Sequence, residues 1–239
     1  MTYRSRPTAL ALLTAIFYSA WLIGPWLQPD LDPMFSYVSE LSASSMPLAQ
    51  VFQLTDLVAG ALFILVGYTF TSSTGPVEST PSPIITTAIS RLPLNVQEWR
   101  LNALIHVVFI ILGVATIVDS AFPMACPESL LPTSFVDSPL CQTTGTLVHE
   151  ISSVIASAAA IAVCILAIML VYPRRFSRTL PLSALGVIFI MSTLYTGGAA
   201  LIQLPFKGLA QRIGLAAFAL WFVIYVGTIG TLNRKDQPS

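Results

Sequence analysis

This chain is short of charge and of the residues that usually mark a catalytic site. Only 9% of its 239 residues are charged, against 55% hydrophobic. A soluble domain carries about a quarter charged residues, so a water-soluble fold is excluded. Lys+Arg and Asp+Glu balance at 11 each, which leaves no basic field for nucleic acid. The two histidines, His106 and His149, fall at opposite depths of the expected spans. A membrane zinc hydrolase built on three histidines is therefore excluded, and neither a metal nor a cofactor is expected. No Cys-x-x-Cys pair, nucleophile elbow or phosphate-binding glycine loop occurs. A Ser–His–acid set drawn from Ser39 or Ser152 with His149 and Asp56 has no spacing signature behind it. No internal repeat is visible, so an inverted-repeat transporter gains no support.

What is present is six long apolar runs, at about 7–27, 48–70, 95–118, 147–172, 180–202 and 209–232. Each reaches the roughly 20 residues a helix needs to cross ~30 Å of hydrocarbon, where backbone groups must be satisfied internally. The expected fold is an all-α, six-transmembrane-helix bundle forming a single integral-membrane domain over residues 1–239. Arg4, Arg6, Arg91, Arg100, Arg174, Arg175, Arg178, Arg234 and Lys235 fall on one side of these spans, and only Lys207 and Arg212 on the other. By the positive-inside rule both termini are cytoplasmic. Trp26, Trp99 and Tyr172 sit near the expected interfaces. The first run reads as a span rather than a signal peptide, being about 20 residues long with no small-x-small site after it.

The connection from Gln28 to Ala49 carries Met34, Phe35, Tyr37 and Leu41 and is expected to fold onto the bundle. The connection from Asp119 to Gly145 holds Cys126 and Cys141 among prolines on the oxidising side, so a disulfide is expected between them. Cys164, deep in the fourth span, reads as a packing residue. The connection from Thr71 to Pro93 is polar, and Ile84, Ile85 and Ile89 within it suit a short interfacial helix. In the fourth span Ser152, Ala156, Ala160 and Cys164 recur every four residues. Such a face admits a close neighbour, either within the bundle or on another membrane protein.

Ionisable residues inside spans cost ~2.5–3.5 kcal/mol on insertion scales and so point inward, toward a partner or a task. Asp56 lies about two turns inside the second span, Asp119 ends the third, His149 opens the fourth, and Gln211 and Arg212 open the sixth. All sit at similar depth by helical rise. Ser152 and Ser153 share a face with His149. Ser39 and Glu40 are expected at the rim, with Tyr195, Thr196, Gln203 and Lys207 bordering the same region. Two readings stay open. In one, Ser39, Glu40, Asp56, Asp119, His149, Gln211 and Arg212 form an outward pocket for a polar or anionic head group, with Arg212 as the anion clamp. In the other, an acid pairs with Arg212 and the network only sets helix register. His106 lies about 20 Å from Asp119 along the helix and belongs to neither.

The order of several short motifs resembles one bacterial integral-membrane family. Ser36-Tyr37-Val38-Ser39-Glu40-Leu41 with Met46-Pro47 and Phe52, then Asp119-Ser120-Ala121-Phe122-Pro123, His149 and Gln211-Arg212, are similar to DUF 998, a domain of unknown function. More distantly, Tyr37-Val38-Ser39-Glu40 is similar to a Tyr-Ile-Ser-Asp motif of Frag1/DRAM-like six-span proteins, some of which are linked to lipid-anchor remodelling. The resemblance implies a six-helix bundle and permits a lipid-related role, and the expected location is a bacterial plasma membrane. Met124-Ala125-Cys126 departs from the family's acidic residue after Phe-Pro. The expected function is binding of a lipid or envelope-glycolipid head group without catalysis, as a subunit of a lipid-handling complex. The alternatives are an enzyme remodelling an outer-leaflet lipid, and a small-solute or proton-coupled transporter with Asp56 as relay. Membrane lipids are the expected partners.

Overall fold

The computed structural model describes residues 6–71, 94–132, 139–171, 176–202 and 204–232. Seven α-helices appear there: α1 (Arg6–Tyr18), the short α2 (Gly24–Leu27), α3 (Ala49–Thr71), α4 (Leu94–Ala121), α5 (Thr144–Val171), α6 (Phe176–Ile202) and α7 (Lys207–Leu232). Six stretches are long and apolar enough to cross a membrane: Thr8–Leu27, Ala49–Thr69, Arg100–Ala121, Thr144–Leu170, Leu180–Ala199 and Lys207–Thr228. This is the expected six-span, all-helical architecture. The chain is a multi-pass membrane protein.

The first span is not one helix. α1 stops at Tyr18, a 3₁₀ turn covers Ala20–Ile23, and α2 restarts at Gly24. Pro25 explains the break: it has no N–H, and in a continuous helix its ring would collide with the Trp21 carbonyl. At the restart it occupies the first turn, where its missing donor costs nothing.

The spans close a ring in the order α1, α3, α4, α5, α6, α7, with α7 returning to α1. At α3–α4 the backbones nearly touch. A Cβ on Gly60 would sit 2.8 Å from the Gly113 carbonyl, so small residues set that approach. Mid-span, Phe63, Phe109, Phe218, Trp221, Phe222 and Tyr225 fill the ring, each almost fully buried. Their rings stack and meet edge-on, as between Phe63 and Phe222 (5.2 Å) and Trp221 and Tyr225 (5.1 Å). Ala160 and Cys164 of the small-residue face are buried within this core.

The connection 28–48, the described stretches 122–132 and 139–143, and the 204–206 turn share one end of the ring, termed the capped end. Arg4, Arg91, Arg174, Arg175, Arg234 and Lys235, the Ile84–Ile89 stretch, Pro93, Tyr172 and Gln203 lie outside the described residues.

Candidate functional site

The first connection folds as a plug over the capped end. Asp32 starts it: its carboxylate accepts the Met34 N–H (2.8 Å) and its carbonyl accepts the Ser36 N–H (2.9 Å). A 3₁₀ turn over Val38–Ser42 follows, and Glu40 Oε1 accepts the Tyr37 N–H (2.8 Å) at its start. Glu40 is wholly buried, and its other oxygen accepts the Ser129 N–H (3.0 Å) and hydroxyl from the second connection. Cys126 and Cys141 are disulfide-bonded, as expected, closing the loop that carries Ser129.

Arg212 anchors the plug from α7. One terminal nitrogen, Nη1, donates to the carbonyls of Pro33 (2.8 Å), Ser36 (2.7 Å) and Gly208 (3.2 Å). Gly208 makes this approach possible, since any Cβ there would collide with the Ser36 and Pro33 carbonyls. Beside it, Gln211 Oε1 accepts the Val38 N–H (2.6 Å). Lys207 sits over the Tyr37 ring, 4.1 Å from its centroid, with Glu128 3.6 Å away. Burial, reinforced by the Glu128 and Glu40 carboxylates, pushes the Tyr37 hydroxyl up to about 12.

A second polar group lies deeper in the ring. Asp119 Oδ1 accepts from Ser153 (2.5 Å) and Ser152 (3.0 Å) and lies 3.2 Å from His149 Nδ1. The spacing of His149, Ser152 and Ser153 puts all three on the face of α5 that meets α4. Asp56 comes from α3, about 10 Å inside that helix's start by helical rise. Its charge and that of Asp119 act on each other, and both act on the Tyr18 hydroxyl. Neither the Asp56 carboxylate, Asp119 Oδ2 nor Tyr18 Oη has a hydrogen-bond partner among the described residues. All three lie inside the ring, yet none is sealed from a water-sized probe.

The expected site residues thus fall into two groups. Glu40, Gln211 and Arg212 bind loop backbone and Ser129. Asp56, Asp119 and His149, with Ser152 and Ser153, form the deeper group. Ser39 contributes its carbonyl to the Ser42 hydroxyl (2.8 Å), within the plug. Arg212 pairs with neither Asp56 nor Asp119; the charges that act on it are Glu40 and Asp32. Tyr195 donates to the Pro205 carbonyl (2.7 Å) and Thr196 to its own helix (2.8 Å), away from both groups. His106 meets the Gly67 carbonyl (3.1 Å) beyond the aromatic layer. A groove of about 610 Å³ opens between Met46, Gln50, Gln53 and Pro123, but none of the expected site residues lines it.

Sequence reasoning missed Tyr18, Ser129, Gln28 and Gln53. Gln28, just past α2, donates to the Leu41 carbonyl (2.9 Å) and Gln53 of α3 to that of Ser42 (2.9 Å), pinning the plug at both ends. Glutamines at span ends were the available signal. For Tyr18, one aromatic among many in a span, there was none.

Chemically, the deeper group offers acceptors. Ser152 and Ser153 direct their hydroxyls at Asp119, and His149 turns Nδ1 toward the same residue. No curated protein and no solved structure matches the chain. A family described as "Protein of unknown function (DUF998)" matches residues 11–90 and 84–227, most of its length, and the chain belongs to that family.

Proposed function

We propose that this protein binds the head group of a membrane lipid without acting on it, through Asp56, Asp119 and Tyr18, and serves as a subunit of a lipid-handling complex. One observation carries the reading: inside a membrane ring, the Asp56 carboxylate and Asp119 Oδ2 have no hydrogen-bond partner among the described residues, while a Ser–Ser–His set holds Asp119 by Oδ1. Buried polar groups are normally satisfied, and intramembrane acids are costly, so open acceptors here point to a donor supplied from outside the chain. The ligand is a lipid bearing an ammonium or several hydroxyls. This reading does not use Arg212 as an anion clamp, since its Nη1 donates to the Pro33, Ser36 and Gly208 carbonyls.

Two alternatives fare less well. An enzyme would need a nucleophile at His149 Nε2. A transporter would need a polar path past the aromatic layer between Asp56 and His106, and six large, nearly fully buried rings stand there.

The basic-residue asymmetry supports a capped end facing away from the cytoplasm, as in a bacterial plasma membrane. Tyr3→Cys or Asp236→Cys should resist an impermeant thiol reagent in intact cells; labelling without permeabilisation would reverse the orientation. For the site, the probe is ethanolamine phosphate, titrated against protein in phosphatidylcholine nanodiscs. Saturable binding that Asp56→Asn and Asp119→Asn each weaken about tenfold supports the reading. Binding unchanged in both variants refutes it.

A further inference from the structure

Of the six contacts that close the ring, α5–α6 is the sparsest, and it loosens in one direction. Away from the capped end the helices touch: a Cβ on Gly186 would lie 3.5 Å from Ile168 and 3.8 Å from Cys164. Following the same strip of α6 toward the capped end, Gly186 is buried, Ile190 and Thr193 are half-buried, and Gly197 is exposed. A Cβ on Gly197 would meet nothing within 4 Å. The facing strip of α5 behaves alike: Cys164 is buried, Ile161 and Ser157 are half-buried, and Val154 is 69% exposed. The two helices therefore splay, and the gap is flanked by Ser153, Ser157, Thr193 and Gly197, too small to fill it. Ser153, on its edge, is bonded to Asp119. The gap lies within the spans, so its outer side is the lipid of the leaflet at the capped end.

We propose that this gap is a lateral passage by which a single ammonium-bearing phospholipid reaches Asp119 and Asp56 from the bilayer. The proposal rests on the head-group reading above and adds the route and the ligand class. Three features argue for a lipid in the gap. It opens sideways at membrane depth. The plug and the described part of the Cys126–Cys141 loop meet across the capped end of the ring. The acceptors behind the gap have no partner among the described residues and are not fully buried. Charge selects the class: the Asp119 carboxylate acts on that of Asp56 in a low-dielectric interior, and among the described residues the cationic group acting against it is His149, 3.2 Å from Asp119. A cation relieves that repulsion, whereas a sugar hydroxyl donates hydrogen bonds but brings no charge. The acyl chains remain at the outer side of the gap, beside Ile190 and Val154, with the hydroxyls of Ser153, Ser157 and Thr193 nearer the head group.

The test uses full-length protein in phosphatidylcholine vesicles doped with a phosphatidylethanolamine carrying a photoactivatable diazirine partway along one acyl chain. Crosslinks are mapped by mass spectrometry. The proposal expects crosslinks concentrated on residues 153–157 and 190–197, and competition by unlabelled phosphatidylethanolamine but not by phosphatidylglycerol. Gly197→Leu, which fits without collision, should lower this labelling about tenfold while leaving ethanolamine phosphate binding unchanged. Asp56→Asn should lower both. If Gly197→Leu leaves the labelling intact and Asp56→Asn removes it, the route is overturned and the site stands. If labelling is spread evenly over all lipid-facing helices and is indifferent to both variants, the route is overturned, and unchanged ethanolamine phosphate binding in Asp56→Asn would overturn the site with it. Equal competition by phosphatidylglycerol overturns the ligand class.

Discussion

The plug and the deeper acid group are both polar, and both were read from the sequence as one site, yet they are finished differently. In and beneath the plug, three charged side chains have found complements: Glu40 has Tyr37 and Ser129, Arg212 has three carbonyls, and Lys207 has Glu128 and the Tyr37 ring. Of its orphan atoms, Arg212 Nε and Gln28 Oε1 belong to side chains already bonded through another atom, and Tyr37 Oη belongs to the ring that Lys207 covers. In the deeper group only Asp119 Oδ1 is saturated, and Asp56 has no hydrogen-bond partner among the described residues. Location and residue type do not separate structure from function here, but hydrogen-bond bookkeeping does. A satisfied buried charge holds the fold, and an unsatisfied one that solvent can reach is available to a ligand.

That contrast breaks if plug variants behave like pocket variants. The largest expected effect is Arg212→Gln, which strands the Pro33 and Ser36 carbonyls and should cost about 3 kcal/mol, seen as a lower Tm in detergent. Replacing Cys126 and Cys141 by serine should follow closely. Opening a loop with a sequence separation of 15 costs roughly 3 kcal/mol in the chain-entropy model and frees Ser129 from Glu40. Gly208→Ala should cost about 1–3 kcal/mol by forcing the plug off α7. Asp56→Asn should instead leave Tm within about 1 kcal/mol of wild type, because no hydrogen bond is lost, while binding falls. An equal loss of stability in Asp56→Asn and Arg212→Gln would erase the distinction.

The smallest effect concerns pH. The Tyr37 hydroxyl titrates near 10.0 when exposed and at about 12 in the fold. The folded state therefore holds this proton more tightly. Its stabilising contribution is complete below pH 10 and disappears as pH rises through about 12. Tyr37→Phe should flatten the fall in thermal stability across that window; an unchanged slope would mean that Tyr37 is not the group responsible.

Spans, the disulfide and the depth of each ionisable residue were legible in the sequence because they depend on local hydropathy, on count and on helical rise. The break in the first span was also written there, in Pro25, though hydropathy alone reads through it. Partner choice was not legible. Arg212 meets carbonyls only because Asp32 bends the chain into a plug and Gly208 lets it settle, and neither step has a period or spacing that marks it. Glu40 and Ser129 lie 89 residues apart and meet only once the disulfide loop is in place. The splay of α5 from α6 depends on what Ser157 and Gly197 fail to touch, which hydropathy cannot register.

The most direct measurement is native mass spectrometry of the protein released from mild detergent, comparing lipid retained by wild type, Asp56→Asn with Asp119→Asn, and Arg212→Gln. The account predicts one retained ammonium-bearing phospholipid on wild type and on whatever fraction of Arg212→Gln remains folded, and none on the double aspartate variant. Retention by the double aspartate variant equal to wild type, or loss from folded Arg212→Gln alone, would contradict it.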